Sequence, residues 1–270
     1  MGGDVRCRLL ITECLDGATN MALDEAVLLF GWPTPTLRFY SWSPPCLSIG
    51  YSQVVVNDVE LEACRRLGID LVRRPTGGGA ILHDAELTYC VVAPEDHPAV
   101  SGSILESYRR ISRALVAAMR QLGLAPQVAP TPAKNQAATS ACFHNPSAHE
   151  VMVAGRKLVG SAQCRREGMV LQHGSLLLDL DPIRALQVLK PPQGQDHQAW
   201  AETFRKRAIC LREALGRCVP FQEAAHAVAR GFEDALGLEL EAAELSPEEW
   251  ELARRLRREK YACDGWNMAR

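Results

Sequence analysis

The sequence predicts a mixed α/β (α+β) fold in which a largely antiparallel sheet is flanked by helices, with a short helical C-terminal tail. Three observations support this. Capped amphipathic segments alternate with short apolar runs in the first half, residues 151–178 hold three strand-like runs, and the apolar spacing becomes helical after Asp181. We expect residues 1–190 to form the main domain and residues 191–270 a helical cap or an extension of it.

Capping residues mark the predicted helix starts. These starts are Thr19–Asn20, Asn57 with Glu60, Ser103 with Glu106, Pro220, and Ser246 with Glu249. Gly68 and Gly123 are expected to end the second and third helices. The third helix is expected to bury Leu105, Tyr108, Ile111, Leu115, Met119 and Leu122.

The predicted strands are apolar runs bounded by turn residues. Residues 37–42 and 46–50 flank Ser43-Pro-Pro45. Residues 125–140 contain three prolines and no apolar period, which predicts a loop. The strands after it are predicted at 151–154, 157–161 and 169–178, with Gly155-Arg156 as a tight turn.

Composition narrows the class of protein. With 270 residues, 47% of them hydrophobic, the chain can bury a substantial core. A formal net charge of −2 gives no general attraction to nucleic acid, and no apolar run approaches the ~20 residues that span a bilayer. The start of the chain also lacks the apolar stretch of a signal peptide. We expect a cytoplasmic protein that binds neither nucleic acid nor membrane.

The ten cysteines show no C-x-x-C spacing, so no zinc or other metal site is predicted. A disulfide framework is not expected in a large, apparently cytosolic chain. Cys64 lies in a helical pattern and Cys90 in a strand pattern, and both are expected to be small buried hydrophobes.

Residues 73–89 hold the most informative motif: two arginines, then Pro-Thr, three glycines and, four residues later, a histidine. Glycines expose backbone N–H groups and let an anion or a carbonyl oxygen approach the main chain. Arg73, Arg74 and His83 are expected to supply charge and a titratable group at the rim. No Gly-Lys-Ser/Thr follows, so the motif is not a P-loop, and a plain glycine-rich hairpin turn is the alternative.

Cys142 and Lys157 form the candidate catalytic pair. Cys142 follows the proline-rich segment, where an exposed thiol is expected, and Lys157 lies fifteen positions later. An ammonium close to a thiol lowers the thiol pKa and favours the nucleophilic thiolate. The alternatives are an inert buried cysteine and a solvated lysine at a strand edge. The nearby His144, His149 and His173 are expected to be hydrogen-bonded polar side chains. If one of them acts as a base, His149 is the preferred candidate, because it precedes Glu150.

Five motifs make the chain resemble the biotin/lipoate A/B protein ligase family over most of residues 10–180. They are residues 20–25, 37–42, 73–80 with His83, 157–163 and 171–175. Within this family the chain is most similar to the cysteine-dependent octanoyltransferases. That similarity rests on residues 86–89 and 140–143 and on Tyr261, Trp266 and Asn267 in the tail.

The resemblance implies a ligase-like α/β catalytic core and an octanoyl-[acyl carrier protein]:protein N-octanoyltransferase activity that needs no cofactor. In such enzymes the residue matching Cys142 accepts the acyl group, and the residue matching Lys157 is its partner in the acyl pocket. The implied donor is octanoyl-acyl carrier protein, and the implied acceptor is a lysine of a lipoyl domain, above all the glycine cleavage H protein. The expected substrate-binding residues are Arg73, Gly77, Gly78, Gly79, His83, Trp42 and Ser161.

An eight-carbon acyl group needs an apolar tunnel, for which Trp42, Ile49, Ile81 and Leu82 are the candidates. The amides of residues 77–79 are expected to bind the thioester oxygen or to position the acyl carbonyl.

Other functions remain open on sequence alone. An ATP-dependent lipoate–protein ligase shares the arginine–glycine and lysine motifs, although such enzymes usually carry an accessory domain for which this chain leaves little room. An amidotransferase that moves octanoyl between lipoyl domains differs only in its donor, and a non-catalytic acyl-binding module is a more distant alternative. The arginines within residues 254–258 are either a solvated helix face or a dock for an acidic partner.

Overall fold

Two sheets organise the part of the chain that the computed structural model describes, residues 5–129, 150–192 and 194–269. The strands are β1 (Arg6–Leu15), β2 (Thr36–Trp42), β3 (Cys46–Ile49), β4 (Asp70–Arg73), β5 (Ile81–His83), β6 (Glu86–Pro94), β7 (Pro126–Val128), β8 (Val151–Val153), β9 (Arg156–Arg166), β10 (Met169–Leu177) and β11 (Glu239–Ala242). The main sheet has the order β11-β1-β2-β6-β10-β9-β8-β7, and the small sheet has the order β4-β3-β5.

The main sheet is mixed and largely antiparallel, as predicted. β1 pairs in parallel with β11 and β2, whereas the pairs from β2 through β6, β10, β9 and β8 to β7 are antiparallel. Although β2 and β3 are neighbours in sequence, they belong to different sheets. The Ser43-Pro-Pro45 turn therefore carries the chain from the main sheet to the small one.

Helices cover these sheets. They are α1 (Gly17–Phe30), α2 (Val55–Asp58), α3 (Leu61–Leu67), α4 (Ile104–Gln121), α5 (Pro182–Gln187), α6 (His197–Arg205), α7 (Leu211–Leu215), α8 (Phe221–Leu236), α9 (Pro247–Leu256) and α10 (Asp264–Asn267). A π-helical turn, Arg257–Tyr261, continues α9. Over the ranges given above, none of these helices has the length and apolar character needed to cross a membrane.

The capping box that predicts α4 is present, because the Ser103 hydroxyl and the Glu106 carboxylate each bond the other's backbone N–H. The predicted buried stripe is wrong at Leu105, which is 56% exposed. Ser107 is buried on this turn instead, where its hydroxyl bonds Gln163. α4 packs so closely on α8 that a Cβ at Gly231 would lie 2.4 Å from the Ala114 carbonyl oxygen.

The predicted start of α1 is too late. The helix begins at Gly17 and is capped by Asp16, whose carboxylate accepts a hydrogen bond of 2.9 Å from Thr19 N–H. Gly17 is required there because a Cβ would lie 2.4 Å from Cys46 Sγ. Asn20 is not a cap: its buried amide donates to the carbonyl oxygens of Leu15 and Ser41 and so joins the helix to β1 and β2.

The helix predicted from Asn57 to Gly68 is two helices. Asn57 lies in the single turn α2, and α3 starts only after Glu60. Between them Val59 forms a β-bridge with Leu189, which interrupts the helical path. The predicted end at Gly68 is confirmed, with Gly68 in the left-handed conformation.

Three strands of the main sheet were not predicted. β1 gave no recognisable signal, β7 lies inside the segment expected to be a loop, and β11 lies inside the tail expected to be helical. β7 and β11 are three- and four-residue edge strands, too short to show an alternating pattern. The turn between β8 and β9 is centred on Ala154 and Gly155, which both have positive φ, one residue before the predicted position.

The arginines at the end of α9 are mostly engaged within the chain. Arg254 pairs with Glu251, Arg257 with Asp16, and Arg258 with Glu259. These pairs favour the solvated helix face over a dock for an acidic partner.

Candidate active site

A small cavity lies where the main sheet faces the small sheet. Its volume is about 30 Å³, room for little more than a water molecule. Its lining comes from α1, from the main-sheet strands β2, β6, β9 and β10, and from the small-sheet strands β3 and β5. The lining residues are Met21, Tyr40, Trp42, Ser48, Arg74, Ile81, His83, Thr88, Gly160, Ser161, Ala162, His173, Gly174 and Ser175.

One wall is held by the hydrogen-bonded chain Asp24–His173–Thr76. His173 Nδ1 lies 2.9 Å from Asp24 Oδ2, and His173 Nε2 lies 2.7 Å from Thr76 Oγ1. The Asp24 carboxylate accepts a hydrogen bond from Nδ1–H, and Nε2 shares the second hydrogen bond with the Thr76 hydroxyl. Thr76 directly precedes the three glycines. The two hydrogen bonds of His173 therefore connect the start of the glycine loop to α1 and β10.

Asp24 is the charged centre of this wall. Its carboxylate contacts Arg38 Nη1 at 2.7 Å and accepts the Tyr40 hydroxyl at 2.8 Å. Burial alone would raise the pKa of Asp24. The hydrogen bond and charge of His173, with Arg38 and Tyr40, outweigh burial and lower that pKa below its usual value. A fully buried carboxylate thus stays ionised and well partnered.

The opposite wall carries His83, stacked on Trp42 with ring centroids 4.0 Å apart and an interplanar angle of 15°. His83 Nε2 lies 2.8 Å from Ser48 Oγ, and Nδ1 lies 3.4 Å from Glu86 Oε1. Trp42 Nε1 donates to Thr88 Oγ1, and that hydroxyl donates to Glu86. Burial lowers the pKa of His83 and outweighs the opposing charge of Glu86, so the ring is neutral at pH 7.

Arg74 braces the glycine loop from inside. Its Nη2 donates to the carbonyl oxygens of Gly77 at 2.6 Å and Gly79 at 2.8 Å, and its Nη1 donates to Ser48. Gly78 has a φ of 93°, and a Cβ on Gly50 would lie 1.9 Å from the Gly78 carbonyl oxygen. The contact between Gly50 and Gly78 therefore requires glycine at both positions. The loop is held in one specific conformation and is not a plain hairpin turn.

The expectation that Arg73 presents charge at the rim is wrong, since its side chain is buried and lies outside the cavity lining, whereas the buried Arg74 does line the cavity. The Arg73 guanidinium faces away from the cavity and donates to five carbonyl oxygens, those of Gly50, Tyr51, Gln53, Trp266 and Asn267. Trp266 Nε1 and Asn267 Oδ1 return bonds to the Arg73 backbone. Arg73 therefore connects the C-terminal tail to the rest of the fold.

Ser161 and Lys157 occupy different positions along β9. Ser161 lines the cavity, and its hydroxyl lies 2.6 Å from Tyr89 Oη. Lys157 is 1% exposed, lies outside the cavity lining, and pairs with the buried Glu150 at 2.6 Å. The alternative of a solvated edge lysine is wrong.

Of the residues predicted to form the acyl tunnel, two line the cavity and two do not. Trp42 and Ile81 line the cavity, whereas Ile49 and Leu82 do not, because they pack in the apolar cluster on the other side of the small sheet. Gly77, Gly78 and Gly79 are not part of the cavity lining. They adjoin it because Arg74, which does line the cavity, donates hydrogen bonds to Gly77 and Gly79.

Cys142, His144 and His149 lie outside the described residues. Cys64 and Cys90 are buried, as predicted. Burial raises the pKa of the Cys164 thiol to about 11 and that of the Cys64 thiol to about 11. Within the described ranges, no group of three or more His, Cys, Asp and Glu side chains has an arrangement that holds a metal ion.

Sequence reasoning missed Asp24, Ser48, Glu86 and Ser175 as site residues. Asp24 and Glu86 lie inside two of the motifs, but the sequence does not show their contacts with His173, 149 residues away, and with His83, 3 residues away. Ser48 and Ser175 are single serines in apolar strands and give no signal of their own. His173, by contrast, is the hydrogen-bonded histidine that was expected.

The architecture is that of the lipoate-protein ligases. A solved lipoate-protein ligase A bound with ATP is 29% identical, with a TM-score of 0.81 over 97% of this chain and 98% of that one. The bi-partite lipoate protein ligase of Thermoplasma acidophilum, solved in a study of that enzyme and its E2 lipoyl domain, is also 29% identical, with a TM-score of 0.82 over 99% and 97%.

The model of the family described as "Lipoyl protein ligase A/B catalytic domain" matches residues 16–233, and the chain belongs to this family. Among curated relatives, the protein named Octanoyltransferase LipM of Kyrpidia tusciae is 46% identical over 268 residues, covering 96% of this chain and 97% of the relative. The family expected from the sequence motifs is thus confirmed.

Proposed function

We propose that this protein is an octanoyltransferase of lipoate biosynthesis, which moves an octanoyl group from octanoyl-acyl carrier protein to the lysine of a lipoyl domain. The observation that carries the proposal is the 46% identity, over nearly the full length of both chains, to a relative named as an octanoyltransferase. The mostly apolar walls of the cavity beside the glycine loop support it, because apolar walls suit the methylene groups of an acyl chain.

The chemistry has two acyl transfers. The Cys142 thiolate attacks the carrier thioester, a C–S bond to Cys142 forms, the C–S bond to the carrier breaks, and the carrier leaves as a thiolate that takes a proton from solvent. The acceptor lysine then attacks the enzyme thioester, an amide bond forms, and Cys142 is released. The first step exchanges one thioester for another of similar energy, and the second is downhill. Neither step needs a nucleotide.

Lys157 serves this reaction as a fixed positive charge. The ammonium is buried and its carboxylate partner Glu150 is buried with it, so the pair acts where water does not screen it. A positive charge in such a setting stabilises both a thiolate and the oxyanion of an attacked thioester.

The acceptor is a lipoyl domain that presents its lysine on an exposed turn, and we propose the glycine cleavage H protein. Octanoyl transfer from one lipoyl domain to another uses the same cysteine and differs in the donor alone. An assay that offers octanoyl-H protein and octanoyl-acyl carrier protein separately distinguishes these two donors.

The second candidate is an ATP-dependent lipoate–protein ligase, favoured by the likeness to the solved ligase bound with ATP. A ligase that starts from a free acid must make an acyl-adenylate, and it has no need of a nucleophilic cysteine. We expect octanoyl-acyl carrier protein to modify the lipoyl domain without nucleotide. Modification seen with free octanoate and MgATP alone would replace the proposal with the ligase.

A further inference from the structure

Helix α4 presents a row of arginines on its outward side. Arg109, Arg113 and Arg120 are exposed and follow one another at spacings of four and seven positions, so they share one side of the helix over about 16 Å. Among the described residues none of the three has a hydrogen-bond or ion-pair partner. Three full positive charges therefore face solvent along one line.

This row differs from the arginines on other surfaces of the protein. Five arginines that are at least half exposed each pair with a carboxylate; they are Arg65, Arg212, Arg217, Arg254 and Arg258. The one acidic residue within α4 is Glu106, and its carboxylate is bonded to Ser103 in the capping box. Like charges four positions apart also destabilise a helix. Helix stability therefore does not explain the arginine row.

Two exposed aliphatic side chains adjoin the row. Ile104 is 57% exposed and Leu105 is 56% exposed, and Leu105 lies one helical turn before Arg109 on the same side. An apolar patch beside unpaired arginines is typical of protein interfaces, where arginine is enriched and the apolar centre has a polar rim. We call Ile104, Leu105, Arg109, Arg113 and Arg120 the α4 face.

The inner side of the same helix rests on a wall of the cavity. Tyr108 Oη donates to the Ser161 carbonyl oxygen at 3.0 Å, and Ser161 lines the cavity. Ser107, one position earlier, bonds Gln163 on the same strand. A protein bound to the α4 face is thus separated from the cavity by one helix and by β9.

We propose that the α4 face docks the acyl carrier protein that delivers octanoyl, with acidic side chains of the carrier on the arginines and an apolar contact on Ile104 and Leu105. The proposal rests on the octanoyltransferase proposed above. It favours the donor because the α4 face lies outside the cavity lining. A carrier holds its acyl group on a long arm, whereas the acceptor lysine has only a four-carbon stem.

Charge complementarity of this kind guides a partner to its site and sets its orientation, and salt screens it. An arginine-rich helix face could also lie on an anionic membrane surface. Such a helix buries a long apolar side, however, and the α4 face offers two aliphatic residues at one end. The protein partner is therefore favoured, and the membrane is an outcome of the test.

The test compares two double variants that each remove two positive charges. Arg109→Gln with Arg113→Gln changes the α4 face, and Arg254→Gln with Arg255→Gln on α9 is the matched control. Octanoyl loading is followed by intact mass with octanoyl-acyl carrier protein and, separately, with octanoyl-N-acetylcysteamine, a small neutral thioester. Calorimetry measures binding of the carrier without its octanoyl group, and the loaded enzymes are then given a lipoyl domain.

We expect the α4 variant to raise the KM for the carrier about 10-fold or more at unchanged kcat, and to weaken carrier binding by the same factor. Loading from the small thioester and transfer to the lipoyl domain should keep the parent rates. The parent KM should rise with salt more steeply than that of the variant. Leu105→Ser should raise the KM and keep the parent salt dependence, because it removes no charge.

A carrier KM equal to that of the parent, or an equal loss in the α9 control or with the small thioester, would overturn the docking surface. Normal loading with slow transfer to the lipoyl domain would assign the face to the acceptor instead. Binding to phosphatidylglycerol vesicles that the α4 variant loses, with carrier binding intact, would assign it to a membrane. A parent that binds the carrier at the α4 face without being loaded would overturn the octanoyltransferase alone, and a parent that neither binds nor loads would overturn both.

Discussion

Lys157 and Glu150 are an ion pair in which each side chain is 1% exposed. Neither charge is hydrated, so each ionised side chain is stabilised by the opposite charge of the other. The lysine that we propose for catalysis is therefore also a buried charge of the fold.

We predict that Lys157→Ala lowers octanoyl transfer by about 100-fold or more, the scale of losing one preorganised charge. Lys157→Arg should restore little, because the pocket closed around Lys157 fits a compact ammonium and not a planar guanidinium. Alkylation of Cys142 should shift to higher pH in Lys157→Ala.

Stability must be followed in the same samples, because Lys157→Ala leaves Glu150 buried without its counter-charge, at a cost of about 3–5 kcal/mol. Lys206→Ala, on an exposed lysine, is the control. If the folded Lys157→Ala protein transfers octanoyl within a few-fold of the parent, Lys157 has no catalytic role.

At the scale of elements, the tail reaches the glycine loop through a short series of contacts. Asn267 and Trp266 bond the Arg73 backbone, and the Arg73 guanidinium donates to the carbonyl oxygens of residues 50, 51 and 53. Gly50 lies against Gly78. The last helix therefore supports the loop from behind, although it lies outside the cavity lining.

We predict that Asn267→Ala lowers the free energy of unfolding by about 1–3 kcal/mol, because it leaves the buried Arg73 N–H without an acceptor. Met268→Ala, at a neighbouring position that is 37% exposed, should change it by about 0.5 kcal/mol or less. Urea unfolding of the two variants measures the difference, and equal losses would show that the tail contact does not stabilise the protein.

The elements themselves differ in how well the sequence predicts them. α4 was found because a capping box and an apolar stripe are local signals. The predicted start of α1 is late because Thr19–Asn20 resembles a local cap, whereas the glycine at position 17 is explained only by Cys46 Sγ, which leaves no room for a side chain. β11 was missed because its four residues become a strand only through pairing with β1, more than 200 residues away.

At the scale of the whole molecule, the fold class and the glycine motif follow from sequence, but the order of strands and the site do not. Ser48, Glu86 and Ser175 become site residues only when the small sheet is placed against the main one. Arg73 shows the reverse: its motif suggested substrate binding, and tertiary contacts use its guanidinium to fasten the tail.

Burial of neutral His83 gives the whole molecule a pH dependence of stability. Its pKa is lowered in the folded state, so the unfolded chain, with an ordinary histidine pKa of about 6.5, binds more protons in this range. The contribution is fully present above pH ~7 and is lost as the pH falls below ~6.5, by at most about 1.4 kcal/mol per pH unit.

We predict that the free energy of unfolding of His83→Gln depends less on pH between pH 5 and 7 than that of the parent. The exposed control His226→Gln should keep the parent slope. Urea unfolding at several pH values gives these slopes, and identical slopes for His83→Gln and the parent would mean that His83 is not held neutral in the fold.

The central claim is that Cys142 carries the octanoyl group, and intact mass after incubation with octanoyl-acyl carrier protein without ATP tests it most directly. The parent should gain one octanoyl group that peptide mapping places on Cys142. Cys164→Ser should gain it equally, because burial raises the pKa of that thiol to about 11, and Cys142→Ser should gain none and transfer none. A Cys142→Ser protein that still acquires octanoyl and passes it to a lipoyl domain at near the parent rate would contradict the account.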